Sequence, residues 1–91
     1  MAKIEFTVVN KSGLHARPAA QFVKAATSFP CEIMVRNVTT ESKTVNAKSI
    51  LSVLTLGVNQ GCVVELEANG EKAEEALSAI KALAESGFGE E

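Results

Sequence analysis

An α+β fold, an antiparallel sheet covered by helices on one face, is predicted for this chain of 91 residues by three observations. Its segments follow the order β-α-β-β-α-β-α, its strands alternate apolar with polar side chains, and its helices each own one apolar stripe. Strands buried on one side and helices apolar along one stripe satisfy each other when the helices pack on the apolar face of the sheet.

The first strand is predicted over residues 3–9, where Ile4, Phe6 and Val8 alternate with Lys3, Glu5 and Thr7. Asn10-Lys11-Ser12-Gly13 reads as a turn. From Ala16 the period changes: Ala19, Phe22, Val23 and Ala26 stand at helical spacing, so an amphipathic helix runs to about Thr27 and is stopped by Ser28-Phe29-Pro30. A second strand covers 32–37 with Ile33 and Val35 inward, and a third, shorter one covers 43–46 after the connection Val38-Thr39-Thr40-Glu41-Ser42. Ala47 to Leu56 has helical spacing, with Gly57 as its stop. Here Val53 and Leu56 are expected inside, with Ile50 and Leu51 at the rim. The fourth strand spans about 62–68 after the turn Asn59-Gln60-Gly61, with Val64, Leu66 and Ala68 on one face. The last helix runs from Glu71 to Ser86, with Ala73, Ala76, Leu77, Ile80 and Leu83 on its stripe and Gly87 after its end.

Composition narrows the function. The chain fits one domain over 1–91, 46% hydrophobic with four Phe and neither Trp nor Tyr, so the core is built from aliphatic residues and Phe. A formal net charge of -2 argues against a nucleic-acid binder, which needs a basic face. The start Met1-Ala2-Lys3-Ile4-Glu5-Phe6 lacks the apolar core of a secretory signal, and no apolar run reaches bilayer length, so a soluble, cytoplasmic protein without membrane contact is expected. Cys31 and Cys62 lack the close pairing of a zinc site and read as small buried hydrophobes. Neither a metal nor a cofactor is expected. The acids Glu71, Glu74 and Glu75 read as a solvated helix start that complements the dipole.

The chemistry concentrates in Gly13-Leu14-His15-Ala16-Arg17-Pro18-Ala19-Ala20, where a loop turns into a helix around the chain's one histidine. Imidazole offers a neutral, nucleophilic nitrogen near neutral pH. A helix start offers unpaired N–H groups to an anion, here those near Ala16 and Arg17. The Arg17 guanidinium adds a permanent positive fork suited to phosphate oxygens. Because Arg17 precedes Pro18 and is therefore biased away from helical angles, the helix cap is either His15 or Arg17 itself. Ser49, beside the apolar pair Ile50 and Leu51, stands at the start of the short helix, where it is suited to capping.

Across essentially its whole length the chain resembles the HPr family, the histidine-containing phosphocarriers of the bacterial phosphoenolpyruvate-dependent sugar phosphotransferase system. The likeness is carried by Gly13-Leu14-His15-Ala16-Arg17-Pro18-Ala19, by Val45-Asn46-Ala47-Lys48-Ser49-Ile50-Leu51 and by Leu56-Gly57, in the family's order and spacing. It implies an open-faced β-sandwich, βαββαβα, with sheet order 1-4-2-3 and three helices on one face. It further implies that His15 accepts a phosphoryl group on Nδ1 from Enzyme I and donates it to enzyme IIA domains, that His15 is the helix cap, and that the protein carries phosphate without net catalysis.

The same resemblance points to Ser49 as a regulatory phosphorylation site, with HPr kinase/phosphorylase and a catabolite-control transcription regulator as partners. A dianion at a helix start is locally favourable, so the fold could accept it. Leu14, Ile50, Leu51 and Leu54 are expected to form an exposed apolar docking patch around His15 on a monomer. The runner-up function is a regulatory interaction module acting mainly through Ser49 in an organism with an incomplete transport system. The chain departs from the family in its longer connection around Val38–Ser42, in Ser52 where some kinase-regulated relatives have Gly, and in its cysteines. With the family's sheet order, Cys31 and Cys62 fall at opposite ends of antiparallel strands, too far apart for a disulfide.

Overall fold

The computed structural model describes residues 2–89. Its elements are β1 (Ala2–Thr7), α1 (Ala16–Thr27), β2 (Glu32–Asn37), β3 (Val45–Asn46), α2 (Ile50–Leu54), β4 (Val63–Asn69) and α3 (Ala73–Glu85). The strands form one sheet in the order β1-β4-β2-β3, antiparallel throughout. This is the predicted architecture.

Alternation decides which face is covered. Phe6, Ile33, Val35, Val64, Leu66 and Ala68 are buried on one side of the sheet, and the registers Phe6↔Val64, Val35↔Leu66 and Ile33↔Ala68 stack them in rows. On the other side Arg36 Nε donates to Glu65 Oε1 at 3.1 Å. α3 packs against β1 and β4, and α1 packs against α3. α1 buries Pro18, Ala19, Phe22 and Ala26; α3 buries Ala76, Leu77, Ile80 and Ala84, with Ala73 and Leu83 half-buried.

The bounds of α1 agree with the sequence reading, and four other elements are shorter than expected. β1 ends at Thr7 instead of residue 9, although the Val8 amide still donates to the Cys62 carbonyl at 2.9 Å. β3 holds only Val45–Asn46 instead of 43–46, because Lys43 and Thr44 belong to the connection from β2. α2 starts at Ile50 and not Ala47: the Ala47 amide donates to the Ile33 carbonyl at 2.9 Å, and the Lys48 amide to Asn46 Oδ1, so residues 47 and 48 extend the sheet pairing into a turn. α3 begins at Ala73 behind Lys72, whose left-handed φ of 65° breaks the helix at the cap.

At its other end α3 closes with paired bonds, Gly87 N–H to Ala84 C=O and Phe88 N–H to Leu83 C=O. That reversal sends Phe88 into the core, edge-on to Phe22 with ring centroids 6.3 Å apart. The sequence reading stopped one residue short of it.

Both cysteines are free and buried. Cys31 precedes the Glu32↔Asn69 end of the β2–β4 ladder and Cys62 lies beyond its Asn37↔Val64 end, as the expected topology requires.

Candidate functional site

His15 occupies the N-cap of α1, with extended backbone angles of φ -128° and ψ 157°. That resolves the choice between His15 and Arg17 as cap. Ala16, two positions before Pro18, carries backbone strain: its φ of 52° is left-handed, a geometry that costs a non-glycine residue roughly 1–2 kcal/mol. The His15 side chain makes no capping bond to the helix. Ala16 and Arg17 are exposed, and at the first turn of a helix their amides have no intrahelical acceptor. The Arg17 guanidinium enters no ion pair among the described residues. His15 and Arg17 thus stand at the same open helix start, the first half-buried and the second exposed.

Two loops hold this terminus in place. In the first, Asn10 Nδ2 donates to the Gly13 carbonyl at 2.8 Å and Gly13 N–H to the Asn10 carbonyl at 3.2 Å, which closes the turn before the helix. The Leu14 amide then donates to the Val58 carbonyl at 3.0 Å, joining that turn to the loop before β4. Gln60 Nε2 reaches the Val9 carbonyl at 2.9 Å, and the Gly61 amide reaches Val8 C=O at 2.8 Å. Gly13 makes the close approach possible: its φ is +64°, and a Cβ there would meet the Val58 carbonyl oxygen and lie 2.8 Å from Asn59 Cα.

One consequence is a contact absent from the sequence reading. His15 Nε2 lies 3.2 Å from Asn59 Oδ1, between residues 44 positions apart. Asn59 reads in the sequence only as a turn former; the signal that could have found it is that its turn is delivered to the helix start by Gly13 and Leu14.

Leu14 corrects an expectation. It is fully buried in the core and takes no part in an exposed patch. Its backbone faces the Val58 loop, so the side chain turns inward beneath the helix start. The other three patch residues are exposed, Ile50 and Leu54 at 39% and Leu51 at 75%, on a helix that packs against α1. Val53 and Leu56 point inward, as predicted. Ser49 is the N-cap of α2, its hydroxyl accepting from the Ser52 amide at 3.3 Å, and is half-buried. A concavity beside the site is lined by residues 9–12, Gln60 and residues 85–87, and does not include His15. Among the described residues no group of three or more His, Cys, Asp or Glu could hold a metal ion. No helix there is long and apolar enough to cross a membrane.

Comparison with known proteins agrees with this geometry. Residues 2–86 match the family described as the PTS HPr component phosphorylation site. The chain is 41% identical over 91 residues to the phosphocarrier protein HPr of Pseudomonas aeruginosa, covering 99% of this chain and 98% of that protein. It is 40% identical over 85 residues to the multiphosphoryl transfer protein of Haemophilus influenzae, covering 93% of this chain but only 17% of that much longer relative. A solved structure of HPr-C-His from Thermoanaerobacter tengcongensis superposes with a TM-score of 0.93 at 49% identity, covering 100% of this chain and 99% of the other. A second structure from that organism, described as an HPr dimer, gives 0.76 at 49% identity, covering 99% of this chain and 100% of that one. With matches that run from end to end and a sheet order that agrees, the chain belongs to the HPr phosphocarrier family of the phosphotransferase system.

Proposed function

We propose that this protein carries phosphoryl groups on His15, accepting them from Enzyme I, which draws on phosphoenolpyruvate, and passing them to sugar-specific enzyme IIA domains in the cytoplasm. The observation that supports it most is the N-cap position of a half-buried imidazole that spends no hydrogen bond on its own helix. Phosphoryl transfer asks a protein to position its groups and stabilise negative charge spread over oxygens. The positive end of the α1 dipole, the first-turn amides and the Arg17 guanidinium meet that demand in one place. On this reading the protein acts as a carrier, without net catalysis of its own.

Incubation with Enzyme I, magnesium and phosphoenolpyruvate should add the mass of one phosphoryl group, labile in acid. His15→Ala should abolish the gain and Arg17→Ala should slow it about tenfold or more, the loss expected for a charge-assisted phosphate contact. Labelling that survives in His15→Ala would remove the assignment. The working form is taken as a monomer docking through Ile50, Leu51 and Leu54, and sedimentation of the loaded and unloaded protein tests it.

A second reading is favoured by Ser49, whose half-buried hydroxyl caps α2 next to that apolar surface. Phosphate there would sit at a helix start and add charge beside the docking residues. Regulation by an ATP-dependent HPr kinase/phosphorylase, with a catabolite-control transcription regulator downstream, is the corresponding proposal. Labelling by ATP and a kinase extract that is lost in Ser49→Ala would support it, and its presence without any His15 labelling would promote the purely regulatory module.

A further inference from the structure

We infer that Asn59 is a positioning residue for His15, fixing which ring nitrogen carries the proton and so which one is left to react. An amide oxygen can only accept a hydrogen bond. With the Asn59 amide turned so that Oδ1 faces the ring, the 3.2 Å contact to His15 Nε2 pairs with the tautomer protonated on Nε2. In the neutral ring the lone pair then lies on Nδ1, and Nδ1 is the nucleophile.

The contact is built by the fold. The Asn59 amide donates to Cys62 Sγ at 3.4 Å and its carbonyl accepts from the Cys62 amide at 3.0 Å, so the backbone bearing this side chain is held at both of its polar groups. The Leu14 amide on the Val58 carbonyl holds the facing loop against it, and Gly13, lacking a Cβ, lets the two backbones meet. A ring that leaves its own helix uncapped is caught instead from across the loop.

The inference rests on the carrier reading for its consequence. When the Nδ1 lone pair forms the new N–P bond, the donor's bond to phosphorus breaks with its electron pair remaining on the donor. Nε2 keeps its proton, and the ring becomes a phospho-imidazolium. Asn59 Oδ1 then accepts from a cationic N–H, a stronger bond than the one to the neutral ring. The same side chain thus selects the reacting atom beforehand and holds the positive charge that develops during transfer, which is the differential stabilisation that speeds a chemical step.

The test is the tautomer itself. Long-range proton–nitrogen NMR on the full chain, with labelled histidine and at a pH where the ring is neutral, reads the proton's share on each ring nitrogen without any phosphoryl donor. The wild-type ring should be predominantly Nε2–H. Asn59→Ala should raise the Nδ1–H to Nε2–H ratio about threefold to fivefold, the change one ordinary hydrogen bond produces. Asn59→Asp, whose carboxylate can only accept, should restore at least the wild-type share of Nε2–H. The specificity constant for loading by Enzyme I should fall by a similar factor in Asn59→Ala. A ratio unmoved by Asn59→Ala, or one that Asn59→Asp fails to restore, overturns the inference. Should Asn59→Ala not fold, a wild-type ring mainly protonated on Nδ1 overturns it as well. The tautomer result stands apart from transfer: the expected ratios in a chain that Enzyme I cannot label would sink the carrier reading and leave the positioning intact.

Discussion

Gly13 and Gly57 both hold left-handed angles, +64° and +61°, yet a methyl group added at each meets different surroundings. At Gly57 nothing lies within 4 Å, so Gly57→Ala should cost only the torsional strain, about 1 kcal/mol. At Gly13 the obstacle is the backbone of Val58 and Asn59, which cannot swing aside as a flexible side chain can. Gly13→Ala must therefore separate the two loops as well, at about 2–4 kcal/mol in total. Urea unfolding midpoints check the pair: equal shifts would mean the loops do not touch as described. How far the site could be read in advance follows from the same geometry. His15 and Arg17 stand two positions apart in sequence, so their place at one helix start is written in the motif. Leu14 is nearer still but faces the core, because the side of the loop that turns inward is decided by the Val58 loop, which no local pattern reveals. Asn59 was hidden for that reason too, its role being created by a contact over 44 positions.

α2 shows how little a short element decides on its own behalf. Five residues are below the length at which a helix holds itself together in water, so its order comes from Val53 in the core and from the Ser49 cap. Ser49→Ala removes the oxygen that accepts from the Ser52 amide and should cost about 1 kcal/mol. That loss is local. Hydrogen exchange should quicken at the amides of Ser52 and Val53 while the protein's thermal midpoint moves much less than for a core substitution, and uniform loss of protection across α1 and α3 would contradict it. Element boundaries followed the sequence where side-chain periodicity sets them, as in α1, whose stripe begins and ends with the helix. They departed from it at β3 and at the start of α2, where backbone bonds from Ala47 to Ile33 and from Lys48 to Asn46 outweigh apolar spacing.

The long connection between β2 and β3 is tied to the sheet by one buried polar residue. Asn37 ends β2 and is fully buried. Its Nδ2 donates to the Leu56 carbonyl at 3.1 Å and approaches Cys62 Sγ at 3.8 Å, while its Oδ1 accepts from the Thr40 amide at 3.4 Å. Its backbone is clasped by Ser42, the Asn37 amide donating to Ser42 Oγ at 2.8 Å and the Ser42 amide to the Asn37 carbonyl at 3.0 Å. From the connection, Thr39 Oγ1 accepts from the Val63 amide at 2.8 Å, so the extra residues lean on the start of β4. One side chain thus joins the connection, the exit from α2 and the turn that carries Asn59. In the sequence Asn37 is merely the last residue of a strand, because burial of a polar group is specified by what surrounds it in three dimensions. Asn37→Leu keeps the branched shape but adds bulk and leaves the Leu56 carbonyl without its Asn37 donor inside the core, at about 2–3 kcal/mol or more. For a domain of this size that corresponds to a fall of roughly 10–20 °C in thermal midpoint. Calorimetry decides it: a midpoint within about 3 °C of the wild type, well under the shift one lost buried hydrogen bond produces, would mean the three segments are held together by apolar packing alone.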